Sequence, residues 1–214
     1  RTSIWGEFVS RISLALFQDS GWYTVNYTAA EGFLWGKDAG CPFVTDKCLT
    51  PGNPPTSIDP TYFCVEGGVP MCSYDRKAQG TCDLRTYNSD LPSYFQYWTN
   101  DATKGGEAIM DYCPTVSPYS NGFCNNVSYY DPNNDPFRGS TRSDSARCFH
   151  TSLIAKGYSA DATTACYDTR CTSTALEVSI NGTWKACSAG APVTETEAFT
   201  GELWCPNTTQ IELM

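Results

Sequence analysis

The single histidine of this 214-residue chain, His150, is the residue that most restricts its chemistry. A zinc peptidase helix carries two histidines four residues apart with a glutamate as the base, and a hydrolytic triad needs a histidine beside its nucleophile. The chain has no such histidine pair and no Gly-x-Ser-x-Gly turn, and the nearby Cys148 is better explained as half of a disulfide. The sequence therefore predicts no catalytic residue and no metal ligand, and it indicates an ordinary structural role for His150.

Two short acidic motifs resemble functional sites, but each lacks a required part. Residues 19–21, Asp-Ser-Gly, match the loop of an aspartic peptidase, yet the second copy that would share the proton is absent. Residues 131–135 have the oxygen spacing of a calcium loop, yet Pro136 stands where that loop needs glycine and Arg142 where it needs glutamate. We interpret the first motif as a helix end and the second as a surface turn.

The chain contains 12 cysteines, and no two of them form a Cys-x-x-Cys pair. Zinc fingers and ribbons need such close pairs, and only Cys166 and Cys171 approach that spacing, so disulfides are the better explanation. Asn-x-Ser/Thr sequons, the acceptors of N-linked glycans, occur at Asn26, Asn126, Asn181 and Asn207. Together the two features predict passage through an oxidising, glycosylating compartment and an extracellular or cell-surface location.

Charge and hydropathy exclude further classes of function. The net charge is −9, and phosphate binding needs clustered Lys and Arg, so nucleic acid is not an expected partner. No run of 18 apolar residues occurs, so no transmembrane segment is predicted. The aromatic run from Tyr94 to Trp98 could stack on a sugar, but such a run is more often part of a core. Carbohydrate binding is therefore a minor alternative.

Apolar residues recur at helical spacing near the amino terminus, at Ile4, Phe8, Ile12, Ala15 and Leu16. This pattern predicts a helix over residues 3–20, with Ser3 as its cap and Gly21 at its end. From Gly36 to about residue 144, Pro, Gly, Asn and Asp recur every few residues, which is typical of loop-rich structure held by disulfides. Short helices are predicted over 144–155 and 161–167.

Strict alternation marks the carboxyl-terminal part. Leu176, Val178 and Ile180 alternate with polar residues, and the Asn181-Gly182 pair that follows is a strong hairpin signal. With a third strand over 199–204, this predicts an antiparallel sheet at about 174–206. The predicted fold class is α+β: a disulfide-rich, loop-rich domain with an N-terminal helix, short helices and a small C-terminal antiparallel sheet.

A series of sequence blocks along almost the whole chain resembles one protein family. The blocks are Leu14 to Tyr23, Trp35 to Phe43, Tyr94 to Thr99, Met110 to Pro114, Pro118 to Gly122 and Asp144 to Cys148. Their order and spacing, with the cysteines in register, resemble the C-terminal half of leishmanolysin-type zinc metallopeptidases, which are metzincins.

The resemblance implies a domain organisation and a role. Residues 1–35 would supply the last helix and exit segment of a metzincin-like catalytic domain, and residues 36–214 the cysteine-rich C-terminal domain. The zinc ligands and the catalytic glutamate of the family lie upstream of the matched part. Zinc and protein or peptide substrates are therefore expected for a longer parent protein, and this chain alone is not expected to hydrolyse peptides.

The resemblance also implies a disulfide pattern. The implied pairs are Cys48 with Cys113, Cys64 with Cys82, Cys72 with Cys148, Cys124 with Cys166, and Cys187 with Cys205. In the family, the match of Cys41 bonds to the catalytic region, and the match of Cys171 bonds to a cysteine shortly after the position of Cys205. Cys41 and Cys171 are thus left unpaired or joined to another segment, or they pair with each other or elsewhere.

Two functions follow from these expectations. The first is the C-terminal, non-catalytic part of a secreted or cell-surface leishmanolysin-like zinc endopeptidase, packed on its catalytic domain or bonded to a fragment of it. The start of the chain at Arg1 favours this expectation of a piece of a longer protein. The alternative is a non-enzymatic relative, a structural or adhesive glycoprotein module of a cell coat or extracellular assembly.

Overall fold

The computed structural model describes residues 9–30, 35–159, 161–173, 175–194 and 197–212. Its helices are α1 (Arg11–Asp19), α2 (Pro42–Thr45) and α3 (Thr208–Glu212), with 3-10 turns at Tyr27–Ala29, Ser93–Phe95, Ala108–Met110, Val127–Tyr129 and Pro136–Arg138. Its strands are β1 (Leu49–Thr50), β2 (Thr56–Ser57), β3 (Pro70–Cys72), β4 (Ala78–Cys82), β5 (Arg85–Thr86), β6 (Lys104–Gly105), β7 (Val116–Phe123), β8 (Ala146–Thr151), β9 (Ile154–Ala155), β10 (Thr163–Cys171), β11 (Leu176–Ile180), β12 (Thr183–Cys187), β13 (Pro192–Val193), β14 (Phe199–Thr200) and β15 (Leu203–Trp204).

The strands form two main antiparallel sheets. The larger sheet has six strands in the order β12-β11-β10-β8-β15-β13, and the smaller has the order β3-β4-β7. Three two-stranded ribbons, β1-β2, β5-β6 and β9-β14, complete the described sheets. The predicted α+β class with a small C-terminal sheet is therefore wrong, because the fold is mostly β and its largest sheet also takes in β8 and β10.

The helices predicted over 144–155 and 161–167 are wrong, since these segments form β8, β9 and β10. The apolar residues Ala146, Phe149 and Leu153 have helical spacing, but β8 is buried on both faces. Ala146 packs among half-cystines, whereas Phe149 belongs to the core of the six-stranded sheet. A strand buried on both faces shows no clean alternation, so the spacing alone could not identify it.

The hairpin prediction is confirmed. β11 and β12 pair from Leu176 opposite Cys187 to Ile180 opposite Thr183. Asn181 has φ 49° and Gly182 has φ 81°, the pair of left-handed conformations that a two-residue hairpin turn requires. The predicted third strand is split at Gly201 into β14, which pairs with β9, and β15, which pairs with β8 and β13. A Cβ at Gly201 would lie 2.3 Å from the carbonyl oxygen of Ser152, so only glycine fits this close approach.

The amino-terminal helix begins later than predicted. Ser10, rather than Ser3, is the N-cap of α1, and its hydroxyl accepts from the backbone N–H of Ser13 at 3.0 Å. Residues 3–8 of the predicted helix lie outside the described residues. The helix ends as predicted, since Asp19 is its last residue and Gly21 follows with φ 72°.

Two apolar cores lie in different parts of the chain. The core of the six-stranded sheet includes Phe149, Tyr167 and Val178. A second, aromatic core contains Tyr62, Tyr97 and Trp98, with Trp35 and Phe43 packed against it. The run from Tyr94 to Trp98 therefore contributes three rings to a core, as its composition favoured: Tyr97 and Trp98 are buried and Phe95 packs against them, while Tyr94 is exposed.

Candidate functional site

Five disulfides join ten of the twelve cysteines. They are Cys48–Cys113, Cys64–Cys82, Cys72–Cys148, Cys124–Cys166 and Cys187–Cys205, with sequence separations from 18 to 76 residues. These are the same pairs that the resemblance implies. Loops of this length restrict the unfolded chain, and each bond is worth roughly 2–4 kcal/mol.

Two of these bonds clamp the two main sheets together, and we call this pair the disulfide clamp. Cys148 of β8 and Cys166 of β10 stand directly opposite each other in the six-stranded sheet. Instead of bonding to each other, they bond to Cys72 of β3 and to Cys124, which follows β7. All four half-cystines are buried in one small cluster. The clamp fixes the position of the three-stranded sheet on the larger one.

A buried cation lies beside the clamp. Arg76 is 6 % exposed, and its guanidinium donates to the side-chain oxygen of Gln210 at 2.6 Å and to the carbonyl of Cys148 at 3.4 Å. Burial lowers the pKa of Arg76 to about 10. The contact with Gln210 ties α3 to the loop between β3 and β4.

His150 is part of this region. Burial, and then the nearby Arg76, lower the pKa of His150 to about 4. The imidazole is therefore neutral at neutral pH, and so low a pKa makes it a poor general base there. The structural role that the sequence indicated for His150 fits this environment.

The acidic motifs also have local roles. Asp131 accepts from the backbone N–H of Asn133 at 2.9 Å, and Asp135 accepts from the hydroxyl of Ser140 at 2.8 Å and pairs with Arg142 at 3.6 Å. Residues 131–134 are an exposed turn, as the sequence favoured, whereas Asp135 is buried together with Ser140. Within the described ranges, no group of three or more His, Cys, Asp or Glu is placed to hold a metal ion. None of the helices described is long and apolar enough to cross a membrane.

Cys41 and Cys171 are both exposed and unbonded. Cys41 immediately precedes Pro42 at the start of α2, whose Phe43 packs into the aromatic core. Val44, in the same turn, is 84 % exposed. Cys171 is the last residue of β10. The structure therefore contradicts the alternative in which Cys41 and Cys171 bond to each other.

The helix α1 presents an apolar surface to solvent. None of its side chains is buried. The exposed apolar residues of this segment, which we call the N-terminal surface, are Ile12, Leu16, Phe17, Trp22 and Tyr23. A nine-residue helix is marginal in water without tertiary packing. The periodicity of the sequence predicted a helix with a covered face, but it gave no signal that the described part of the chain would leave this face open.

The four sequons lie in turns or at helix starts. Asn26 and Asn126 each begin a 3-10 turn, Asn181 is in the hairpin turn, and Asn207 caps α3 by accepting from the N–H of Gln210 at 2.8 Å. Asn26, Asn181 and Asn207 are exposed, whereas Asn126 is half-buried. Glycosylation at these sites stays a prediction.

The chain is similar to known proteins over most of its length. A family model described as leishmanolysin matches residues 2–212. The leishmanolysin of Leishmania donovani is 32 % identical over 213 residues, which cover 93 % of this chain and 35 % of that protein. The leishmanolysin homolog of Crithidia fasciculata is 30 % identical over 215 residues, covering 93 % of this chain and 32 % of that protein. A leishmanolysin-like peptidase of Drosophila melanogaster is 32 % identical over 131 residues, covering 52 % and 18 %. The chain thus spans about a third of the length of the first relatives it matches.

Proposed function

Since the chain belongs to the leishmanolysin family of zinc metallopeptidases, we propose that it is the non-catalytic C-terminal part of a secreted or cell-surface member of that family. In this proposal residues 36–214 form a rigid platform, and residues 1–35 connect it to a preceding catalytic domain. The five disulfides and the four sequons support the extracellular location.

The observation that carries the proposal is the exposed N-terminal surface. Leu16 is 71 % exposed and Trp22 is 84 % exposed. A short helix with an open apolar face gains stability when another segment covers that face. The resemblance gives this helix to the catalytic domain, so the covering segment is the body of that domain.

Cys41 supplies a second, covalent link in the same proposal. Its thiol is exposed in a turn that Phe43 anchors to the aromatic core, so the sulfur is held in a defined position at the surface. The family pattern bonds the corresponding cysteine to the catalytic region. A Cys41 disulfide to that region would hold the platform in place even after the connecting chain is cut.

The zinc chemistry belongs to the parent protein and not to the residues described here. In such peptidases the metal activates a water molecule for attack on the peptide carbonyl. The described residues provide no group of three metal donors, and the only histidine is held beside Arg76 with a low pKa. We therefore assign no step of hydrolysis to this chain.

The test is the mass of native material isolated with its thiols blocked, measured after deglycosylation, first without and then with reductant. We expect the non-reduced mass to exceed that of this chain, and peptide mapping to place a disulfide between Cys41 and the catalytic region. Where the connecting chain has been cut, reduction should release that region as a second polypeptide. Cys41→Ser should abolish the mapped bond, whereas Cys171→Ser, the matched exposed cysteine, should leave it unchanged. A mass that stays that of this chain alone after deglycosylation would overturn the proposal and favour the structural glycoprotein module.

A further inference from the structure

A surface depression of about 580 Å³, open to solvent on one side and called the cavity below, lies beside the sequon at Asn126. One wall comes from the segment 123–129, which contributes Phe123, Asn126 and Tyr129, and the other comes from Ser143 and Asp144. The cavity thus combines two aromatic rings with hydroxyl, amide and carboxylate groups. Such a mixture of apolar surface and a few polar groups suits a small ligand that has both kinds of face.

The walls of this cavity are held by contacts that do not depend on a ligand. The Arg142 guanidinium donates to the carbonyl of Phe123 at 2.9 Å, and the backbone N–H of Ser143 donates to the carbonyl of Cys124 at 3.2 Å. Cys124 is itself part of the disulfide clamp. The two walls are therefore fixed to each other in advance, which lowers the entropic cost of filling the space between them.

The side chain of Asn126 is oriented by its own turn. Its Oδ1 accepts from the backbone N–H of Ser128 at 3.0 Å. Among the described residues, no acceptor is found for its Nδ2. Because Asn126 also lines the cavity, the amide nitrogen to which a glycan is attached is available at the edge of a preformed space.

We propose that the first sugar of an N-linked glycan on Asn126 sits in this cavity. The sugar is attached when Nδ2 loses a proton and bonds to C1 of a diphosphate-linked oligosaccharide, whose C1–O bond breaks as the diphosphate leaves. An N-acetylhexosamine has an apolar ring face that can lie on Phe123 or Tyr129, and hydroxyl and acetamide N–H groups that can donate to the carboxylate of Asp144. The proposal rests on the secreted location proposed above.

The sequon at Asn26 provides a matched control within the same molecule. Asn26 has φ −103° and ψ 100°, and Asn126 has φ −104° and ψ 100°, and each begins a 3-10 turn. The Oδ1 of Asn26 likewise accepts from the N–H of Thr28 at 3.0 Å. None of the residues that line the cavity comes from the Asn26 turn. The two sequons therefore share an acceptor geometry, and the cavity described above is lined by Asn126 and not by Asn26.

The experiment measures how fast a peptide N-glycosidase releases each glycan from the folded chain. The chain is secreted from a host that attaches N-linked glycans, and release at each sequon is followed by mass spectrometry of its peptides. We expect release at Asn126 to be roughly tenfold slower than at Asn26, the factor expected if about 1.4 kcal/mol holds the sugar in place. After reduction and denaturation the two rates should be equal.

Phe123→Leu separates seating from simple crowding, because it keeps apolar bulk and removes the ring. We expect it to raise the release rate at Asn126 to near that at Asn26, with a cooperative guanidinium unfolding transition like that of the unmodified chain as the check on folding. Equal rates of glycan release at Asn26 and Asn126 in the folded, unmodified protein would contradict the binding of the sugar in the cavity. A glycan on Asn26 and none on Asn126 would also contradict it. Neither result would contradict the secreted location. An absence of glycan at every sequon would overturn both.

Discussion

The N-terminal surface and the clamped sheets use similar apolar residues in opposite environments. Leu16 in α1 is 71 % exposed, whereas Leu153, between β8 and β9, is 0 % exposed. Both leucines lie in sequence patterns that predict a helix with one covered face. The difference teaches that an apolar pattern shows that a face is to be covered, but not which part of the protein covers it.

The two regions also differ in how they are held. The clamped sheets are fixed by two buried disulfides and by Arg76. The contacts of α1 with described residues are local: the cap at Ser10, the edge contact of Phe17 with Tyr23, and Arg11 over the Tyr27 ring. A segment with few buried contacts unfolds locally without unfolding the whole. We therefore expect matched changes in the two regions to have very different effects on the free energy of global unfolding.

The largest effect is expected from opening the clamp. Replacing both Cys72 and Cys148 by alanine removes a disulfide between residues 76 positions apart in the sequence. The loss of chain entropy in the unfolded state gives this disulfide a stabilisation of roughly 4.5 kcal/mol. Replacing Cys187 and Cys205 removes a bond of separation 18 and should cost roughly 3.2 kcal/mol. Guanidinium unfolding without reductant measures both. An equal fall in the free energy of unfolding in the two variants would show that the clamp stabilises the fold no more than the Cys187–Cys205 bond does.

The next effect compares the two leucines directly. Leu153→Ala should lower the free energy of unfolding by roughly 2–5 kcal/mol, because it removes a fully buried side chain and leaves a cavity. Leu16→Ala should change it by no more than about 0.5 kcal/mol, since the side chain is already in water. Guanidinium unfolding measures both variants. If Leu16→Ala lowered the free energy of unfolding as much as Leu153→Ala does, α1 would have to be packed against another segment in solution.

A pH-dependent effect is expected at His150. Its pKa is about 4 in the folded protein and about 6.5 when unfolded, so the unfolded chain takes up the proton first as the pH falls. The free energy of unfolding should therefore fall by about 3 kcal/mol between pH 6.5 and pH 4 from this group, and no further below. His150→Gln should flatten the difference between pH 7 and pH 5, where few carboxylates titrate. A variant with the unmodified pH profile would contradict this assignment.

The smallest effect compares two helix caps. Asn207 caps α3, whose Gln210 is bonded to the buried Arg76, so Asn207→Ala should cost about 1 kcal/mol. The comparison is made between two proteins that both carry Thr209→Ala, one with Asn207 and one with Asn207→Ala. Thr209→Ala removes the sequon, so neither protein can be glycosylated at this site. Ser10→Ala removes the cap of α1 and should leave global unfolding unchanged, although helix content by circular dichroism falls slightly. If Ser10→Ala lowered the free energy of global unfolding as much as Asn207→Ala does, the two regions would not differ in how they contribute to stability.

Local conformational rules were the part of the fold that the sequence could predict. The hairpin at Asn181 and Gly182 depends on two residues that accept a positive φ, and the end of α1 depends on Gly21 in the same way. β8 and β10 were not predictable, because Ala146 and Phe149 face two different cores and each core is assembled from distant segments. The fold class was wrong for the same reason.

The same distinction between local motifs and contacts of distant segments applies to the candidate sites. The sequon at Asn126 is readable in the sequence, but the cavity beside it depends on the contact of residues 123–129 with residues 143–144. The disulfide pairs came from the family resemblance, since cysteine spacing alone leaves many connectivities open. The exposure of Cys41 depends on how Phe43 packs into the aromatic core.

The interleaved order of the disulfides has a consequence for a chain exposed to proteolysis. Cys48–Cys113, Cys72–Cys148 and Cys124–Cys166 overlap along the sequence. A single cut at any peptide bond between residues 48 and 166 therefore leaves the two pieces covalently joined. The connection between Cys166 and Cys187 is spanned by none of the five bonds, so a cut there would free the last hairpin strand and all that follows. Digestion under non-reducing conditions should thus release material after cuts in this connection, which contains the unbonded Cys171, and after cuts before Cys48 or after Cys205.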